Sequence, residues 1–250
     1  MVAAFDGEVS YGDGYIAART PSCPQFWWGN FVLFAEAPQP GAVERWEAIF
    51  DEEVGRVPGV GHRNLAWDVI DGSLGESSSF VEKGYTLTED FCLATARTTP
   101  TANDREDIHV RPLDKDEDWR DALEIEQQSF DASPSFQEHL RQQMSRNRAL
   151  VARGVGLWFG AFCRGEMVAT MGLFVQGGLG RCQGVATAPG HRRKGCCGTM
   201  IHAVCSYGFA QMGVEQTVIM TTPGSAAARV YESVGFALGE RVSSLSISPA

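Results

Sequence analysis

The densest chemistry in the sequence lies at residues 185–199, VATAPGHRRKGCCGT. Three consecutive cations, Arg192, Arg193 and Lys194, lead into Gly195, and the small residues Cys196, Cys197, Gly198 and Thr199 lead on into a helical pattern. The first N–H groups of a helix have no partner inside it, and its dipole is positive at that end. With cations beside them and no bulky side chain in the way, such groups form a site for a phosphate or pyrophosphate. His191 adjoins that site. Spacing excludes two familiar phosphate loops. Gly190 and Gly195 have the G-x-x-x-x-G separation, but Cys196 and Cys197 follow where a nucleotide-hydrolase loop needs Lys and Ser or Thr. The glycines between 177 and 184 do not fall as G-x-G-x-x-G, and Gly184 opens no helix, which removes a dinucleotide fingerprint.

Periodicity supplies the elements that must hold this loop. A strand is predicted at 181–188, before Pro189, and an amphipathic helix at 201–212 with Ile201, Val204, Cys205 and Met212 on one face. A strand at 215–221 and a helix at 225–234, ended by Gly235, come next, and a last strand at 243–247. Upstream lie a strand at 108–113, a helix at 119–130 with an acidic start, and a helix at 133–147 opened by Ser133-Pro134. Strands at 157–163 and 167–175 are joined by the tight turn Arg164-Gly165-Glu166. In the first half, strands are predicted at 26–34, 64–70 and 85–96, a helix at 43–54, and a short helix ending near Gly84. Strands alternating with helices, beside a hairpin, indicate an α/β or α+β sheet with helical cover. The polar segment 97–107 carries Pro100 and no apolar periodicity, which predicts a boundary between domains at 1–105 and 106–250.

Arg192, Gly195 and Cys197 satisfy R-x-x-G-x-(small), and Ala227, Val230, Tyr231, Gly235 and Phe236 satisfy A-x-x-V-Y-x-x-x-G-F. Two signatures in this order resemble those of the GNAT superfamily of acyl-CoA-dependent N-acyltransferases, over about residues 108–247. The resemblance implies a mixed, splayed central sheet flanked by helices. Phe80-Val81-Glu82-Lys83-Gly84-Tyr85 is similar to the end of the second signature, which implies a smaller, degenerate or truncated GNAT-like domain at 1–105. No R-x-x-G-x-G loop occurs there. The chain departs from the family pattern at Cys197, where glycine or alanine is usual, and near Gly224 and Ser225, where a polar residue often precedes the second motif.

Carried over residue by residue, the resemblance implies acetyl-CoA as cosubstrate. Its pantetheine would run along Val185, Ala186 and Thr187. Its pyrophosphate would lie on Arg192, Arg193, Lys194, Gly195, Cys196, Cys197, Gly198 and Thr199, with Ala227 and Tyr231 nearby. An acceptor amine then attacks directly, and a backbone N–H near Val185 stabilises the oxyanion. Tyr231 matches the tyrosine that protonates the departing thiolate; its ordinary pKa of about 10 keeps it protonated at neutral pH. Many family members place a carboxylate on the strand before the loop, where this chain has Arg181, Gln183 and Gly184. Gln183 orients a water but does not take a proton, so Glu124 or Glu126 on the helix at 119–130 is the candidate base. The function implied is acetyl transfer to a primary amine of a small molecule or amino-acid-like acceptor, whose pocket is expected at residues 130–139 and 242–247. A non-catalytic acyl-CoA sensor and a protein acetyltransferase remain as alternatives.

A net charge of −10 argues against nucleic acid as the main partner. No apolar run is long enough to span a membrane, and residues 1–15 lack the basic start of a signal peptide. The seven cysteines are scattered with no C-x-x-C pair, so neither a zinc site nor a disulfide framework is expected. Reduced thiols fit a cytoplasmic protein without a metal. The oligomeric state is not readable; a homodimer is compatible with the sequence.

Overall fold

The computed structural model describes residues 5, 7–129 and 133–248. The chain forms two compact units, residues 1–92 with 239–250, and residues 93–238. The strand predicted at 243–247 is part of a longer strand whose C-terminal portion belongs to the first unit.

In the first unit, β1 (Glu8–Gly12) and β2 (Tyr15–Arg19) form an antiparallel hairpin, and β2 pairs antiparallel with β3 (Phe31–Phe34). Helix α1 (Ala42–Glu53) crosses over to β4 (Arg63–Trp67), which runs parallel to β3. Helix α2 (Ser78–Glu82) and strand β5 (Thr86–Thr95) follow. The C-terminal strand β11 (Ala237–Ile247) pairs antiparallel with β4, from Ser243 opposite Trp67 to Ile247 opposite Arg63. Ala42, Val43, Trp46 and Phe50 recur on one face of α1, and that face is buried. Trp46 stacks on Phe34 at 3.8 Å between ring centres and leans on Trp67 and Phe80, giving the unit an aromatic core.

The apolar run at 26–34 does not form one strand. Trp27–Gly29 is a single 3-10 turn, because the side chain of fully buried Asn30 donates to the carbonyls of Cys23 and Phe26 and accepts from the Thr20 N–H. These bonds fold the segment back on itself, and only residues 31–34 remain extended.

The second unit carries the strands in the order β10-β9-β8-β7-β6. Strand β6 (Ile108–Pro112), β7 (Gly156–Cys163), β8 (Glu166–Gln176) and β9 (Leu179–Thr187) are successively antiparallel, while β10 (Gln216–Thr221) is parallel to β9. Helix α3 (Asp116–Ser129) packs on β8 and β9 and against α4 (Pro134–Ala152). Helices α5 (Cys196–Gln211) and α6 (Ala226–Val234) pack on each other, and α5 on β8. Asp118 holds the start of α3: its carboxylate accepts from the Arg111 guanidinium, which does most to lower its pKa, and from the Asp114 and Lys115 N–H groups. Ser133 caps α4 with Pro134 in its first position, and Ser225 caps α6 by accepting from the Ala228 N–H at 3.0 Å.

Segment 97–107 lies in the second unit and packs there. The Thr99 N–H donates to the Val234 carbonyl, and the Arg105 N–H donates to Thr199 Oγ1.

Candidate active site

Strands β9 and β10 pair at only three positions, Leu179 with Gln216, Gly180 with Thr217 and Arg181 with Val218. Beyond Arg181 no register joins them, so two parallel strands part in the middle of a sheet. Exposed strand backbone of this kind accepts an extended ligand as an added strand. On its other side β9 carries a bulge. Thr170 faces Ala186 and Gly172 faces Gln183, so Met171 opposes both Gly184 and Val185. Gly184 takes a φ of 60°, where glycine is favoured.

The loop after β9 ends where two strained positions meet a helix. Arg193 has φ 57°, and Gly195, immediately before α5, has φ 82°. A Cβ on Gly195 would lie 2.0 Å from the Asn103 carbonyl oxygen, so glycine is required there by contact as well as by conformation. The first bond along the helix runs from the Thr199 N–H to the Gly195 carbonyl, and no side chain caps the start. The N–H groups of Cys196, Cys197 and Gly198 therefore lie open at the positive end of the helix dipole.

Arg192, Arg193 and Lys194 are exposed beside these groups. Arg192 donates to the Thr187 and Ser129 carbonyls at 3.2 and 3.4 Å, and Lys194 to the Gly190 carbonyl at 2.6 Å. The loop residues divide by direction. The side chains of Cys196 and Thr199 are buried against Arg105, whereas Cys197 is half-buried and interacts with Thr187 at the end of β9. Burial pushes the Cys197 thiol up to about 12. It is thus a neutral small side chain at neutral pH rather than a thiolate.

Tyr231 is buried on α6, one turn after half-buried Ala227, and its ring lies 6.3 Å from Phe236. Its phenol pKa is raised, chiefly by burial and further by nearby Cys197 and Cys182. Cys197 lies at the start of α5, and Cys182 on the stretch of β9 that has parted from β10. A phenol there stays protonated at neutral pH.

The two glutamates that the sequence left as alternatives diverge. Glu124 is exposed and accepts from Gln128 Nε2 at 2.9 Å. Glu126 is only 5% exposed, and its Oε1 is buried without a hydrogen-bond partner. Burial alone pushes its carboxyl up to about 8. A Cβ on Gly184 would stand 3.0 Å from that oxygen, which puts the carboxyl over the β9 bulge. Gln183, next along the strand, donates to Oδ1 of buried Asn147 on α4 at 3.3 Å. Phe130, from the segment expected to shape an acceptor pocket, lies outside the described residues. Residues 134–139 of that segment are on α4, and residues 242–247 are on β11.

The sequence assigns no role to Gly184 and none to Trp158, whose ring atom would lie 2.6 Å from a Cβ on Gly184, or to Asn147. An isolated glycine inside a strand pattern is a bulge signal, so Gly184 was within reach. Trp158 and Asn147 carry no such local mark.

A family model described as the acetyltransferase (GNAT) family matches residues 117–236. No curated protein matches the sequence. Among solved structures, a GCN5-related N-acetyltransferase from Kribbella flavida is similar with a TM-score of 0.69 at 15% identity, over 99% of this chain and 91% of that one. A conserved protein of unknown function from Staphylococcus epidermidis is similar with a TM-score of 0.75 at 12% identity, over 98% and 96% of the two chains. A tandem GNAT protein from the clavulanic acid biosynthesis pathway is similar with a TM-score of 0.58 at 12% identity, over 98% and 79%. At these identities the likeness is one of fold, and it extends over both compact units. Residues 117–236 are a domain of the acetyltransferase (GNAT) family, preceded by a half that shares the fold but lacks the cationic glycine loop.

Proposed function

We propose that the protein transfers an acetyl group from acetyl-CoA to a primary amine of a small molecule or amino-acid-like acceptor. Family membership supports an N-acyltransferase in general terms. The observation that carries the finer reading is the parting of β9 from β10 beside an uncapped helix start. Pantetheine extends along Val185, Ala186 and Thr187, and the pyrophosphate is held by the Cys196, Cys197 and Gly198 N–H groups with Arg192, Arg193 and Lys194 around it. The β9 bulge turns a backbone N–H near Val185 toward the thioester carbonyl, where it stabilises developing negative charge. Glu126 takes the proton from the attacking nitrogen, and Tyr231 gives one to the departing CoA thiolate. Gln183, oriented by Asn147, positions the acceptor or a water. Seven scattered cysteines with no C-x-x-C pair support action in a reducing, cytoplasmic setting, and among the described residues no helix is long and apolar enough to cross a membrane.

Tyr231→Phe tests the reaction separately from binding. The ring and its packing are kept while the proton is removed. Acetyl transfer to a panel of amines is expected to fall about 10²-fold or more, with acetyl-CoA affinity held. An unchanged rate would remove Tyr231 from the mechanism. Tight acetyl-CoA binding without transfer to any amine by the wild type would favour the sensing reading.

A further inference from the structure

Trp158 stands beside the site, held on every side. It projects from β7 and is 1% exposed. Its indole N–H donates to Thr170 Oγ1 at 2.8 Å, and that hydroxyl donates on to the Phe159 carbonyl at 3.1 Å. The ring lies over the backbones of the next two strands. A Cβ on Gly172 would stand 2.5 Å from it, and a Cβ on Gly184 2.6 Å. Trp119 and Phe174 close on it with ring centres at 6.3 Å each. The same point above Gly184 is 3.0 Å from Glu126 Oε1, so the indole edge and the carboxyl share one small space over the bulge.

We propose that Trp158 is the positioning residue of the acceptor site. Pinned by Thr170 and laid across Gly172 and Gly184, its indole shuts water and other donors away from Glu126 Oε1 and positions the carboxylate, once ionised, to accept the proton of the attacking amine. This rests on the reading of Glu126 as the base. No charge competes for that role. The charged and titratable groups on the elements packed against α3 are Glu138, His139, Arg141, Arg146 and Arg148 on α4, Arg153 just past its end, Glu166 on β8, and Arg181 and Cys182 on β9. None of them moves the Glu126 carboxyl, which burial alone displaces. Arg148 pairs with Asp116 and lies over Trp119, and Glu138 pairs with Arg141. Gln183, the polar neighbour on β9, is neutral and engaged with Asn147.

The test is Trp158→Phe, which keeps an aromatic ring but removes the indole N–H and the second ring. Letting water reach the carboxyl is expected to move the acid limb of kcat/KM against pH down by about one unit or more, with the affinity for acetyl-CoA unchanged. The upper end of the pH range over which wild-type stability declines should move down with it. A rate lowered equally at every pH, with the limb and the stability profile unmoved, would reduce Trp158 to packing and overturn the proposal. If Trp158→Phe does not fold, Thr170→Val releases the indole with core volume kept, and the same shift decides. The stability profile also separates the two readings. If no amine is acetylated, the proposed activity fails, while the profile still reports whether Trp158 governs Glu126.

Discussion

Glu126→Gln is expected to lower kcat/KM about 10²- to 10⁴-fold while leaving acetyl-CoA binding intact, because it removes the proton acceptor and little volume. The same substitution carries a stability signature that a purely catalytic loss does not. The Glu126 carboxyl titrates near 8 in the folded protein, against a usual value of 4.5. Between these values the native state keeps a proton that the unfolded chain has released. The unfolding free energy therefore falls as pH rises through that window and is level again above it. The full difference is on the order of 5 kcal/mol. Gln cannot ionise, so the variant's stability should decline far less between about pH 5 and about pH 9, whatever its offset from wild type at the lower pH. Urea unfolding of both proteins at the two pH values measures this. Parallel behaviour of the two would mean that Glu126 ionises freely and is not the buried base.

Gly195→Ala is expected to be the most damaging substitution in the loop. A side chain at φ 82° costs about 1 kcal/mol. The added Cβ would also meet the Asn103 carbonyl oxygen at 2.0 Å, and that oxygen is backbone. It cannot withdraw cheaply, since its segment is fastened by the Arg105 N–H to Thr199 Oγ1 and packs Thr101 over Gly198. Relieving the overlap costs a further 1–3 kcal/mol or so. Together these lower Tm by roughly 4–16 °C. Displacing the start of α5 also scatters the N–H groups proposed to hold the pyrophosphate, so acetyl-CoA affinity is expected to fall with stability. Gly190→Ala, five residues earlier, is the control: nothing lies within 4 Å of its Cβ position, and its φ is not positive. It should change both quantities little. Equal effects at the two glycines would contradict the geometry assigned to the loop.

The loop proposed to hold the pyrophosphate and the proposed role of Tyr231 both rest on local sequence: cations, a glycine and small residues at fixed spacing, then a second motif. Glu126 was only half legible. Trp119, Ala122 and Glu126 stand at i, i+3 and i+7, one buried face of α3, whereas Glu124 falls outside it, so periodicity could have separated the two glutamates. What distinguishes Glu126 chemically is Gly184 and Trp158, brought from two strands by pairing that no local pattern encodes. Other differences have similar causes. Strand β1 is only five residues long, and its Glu8-Val9-Ser10-Tyr11 alternation marks no buried face, since Val9 and Tyr11 are both exposed. Helix α5 begins at Cys196 rather than at 201, because contacts from residues 101–105 organise a first turn of weak helix formers. The turn at Trp27–Gly29 is imposed by buried Asn30 inside an apolar run that reads as a strand.

The central claim, a CoA site at the start of α5, is most directly tested by calorimetric titration with acetyl-CoA of the wild type and of an Arg192→Ala, Arg193→Ala double variant. Micromolar binding by the wild type, about −8 kcal/mol, is expected. Affinity in the variant should be at least about tenfold weaker, since two cations beside the open N–H groups are gone. Absence of binding by the wild type, or equal binding by both proteins, would contradict it.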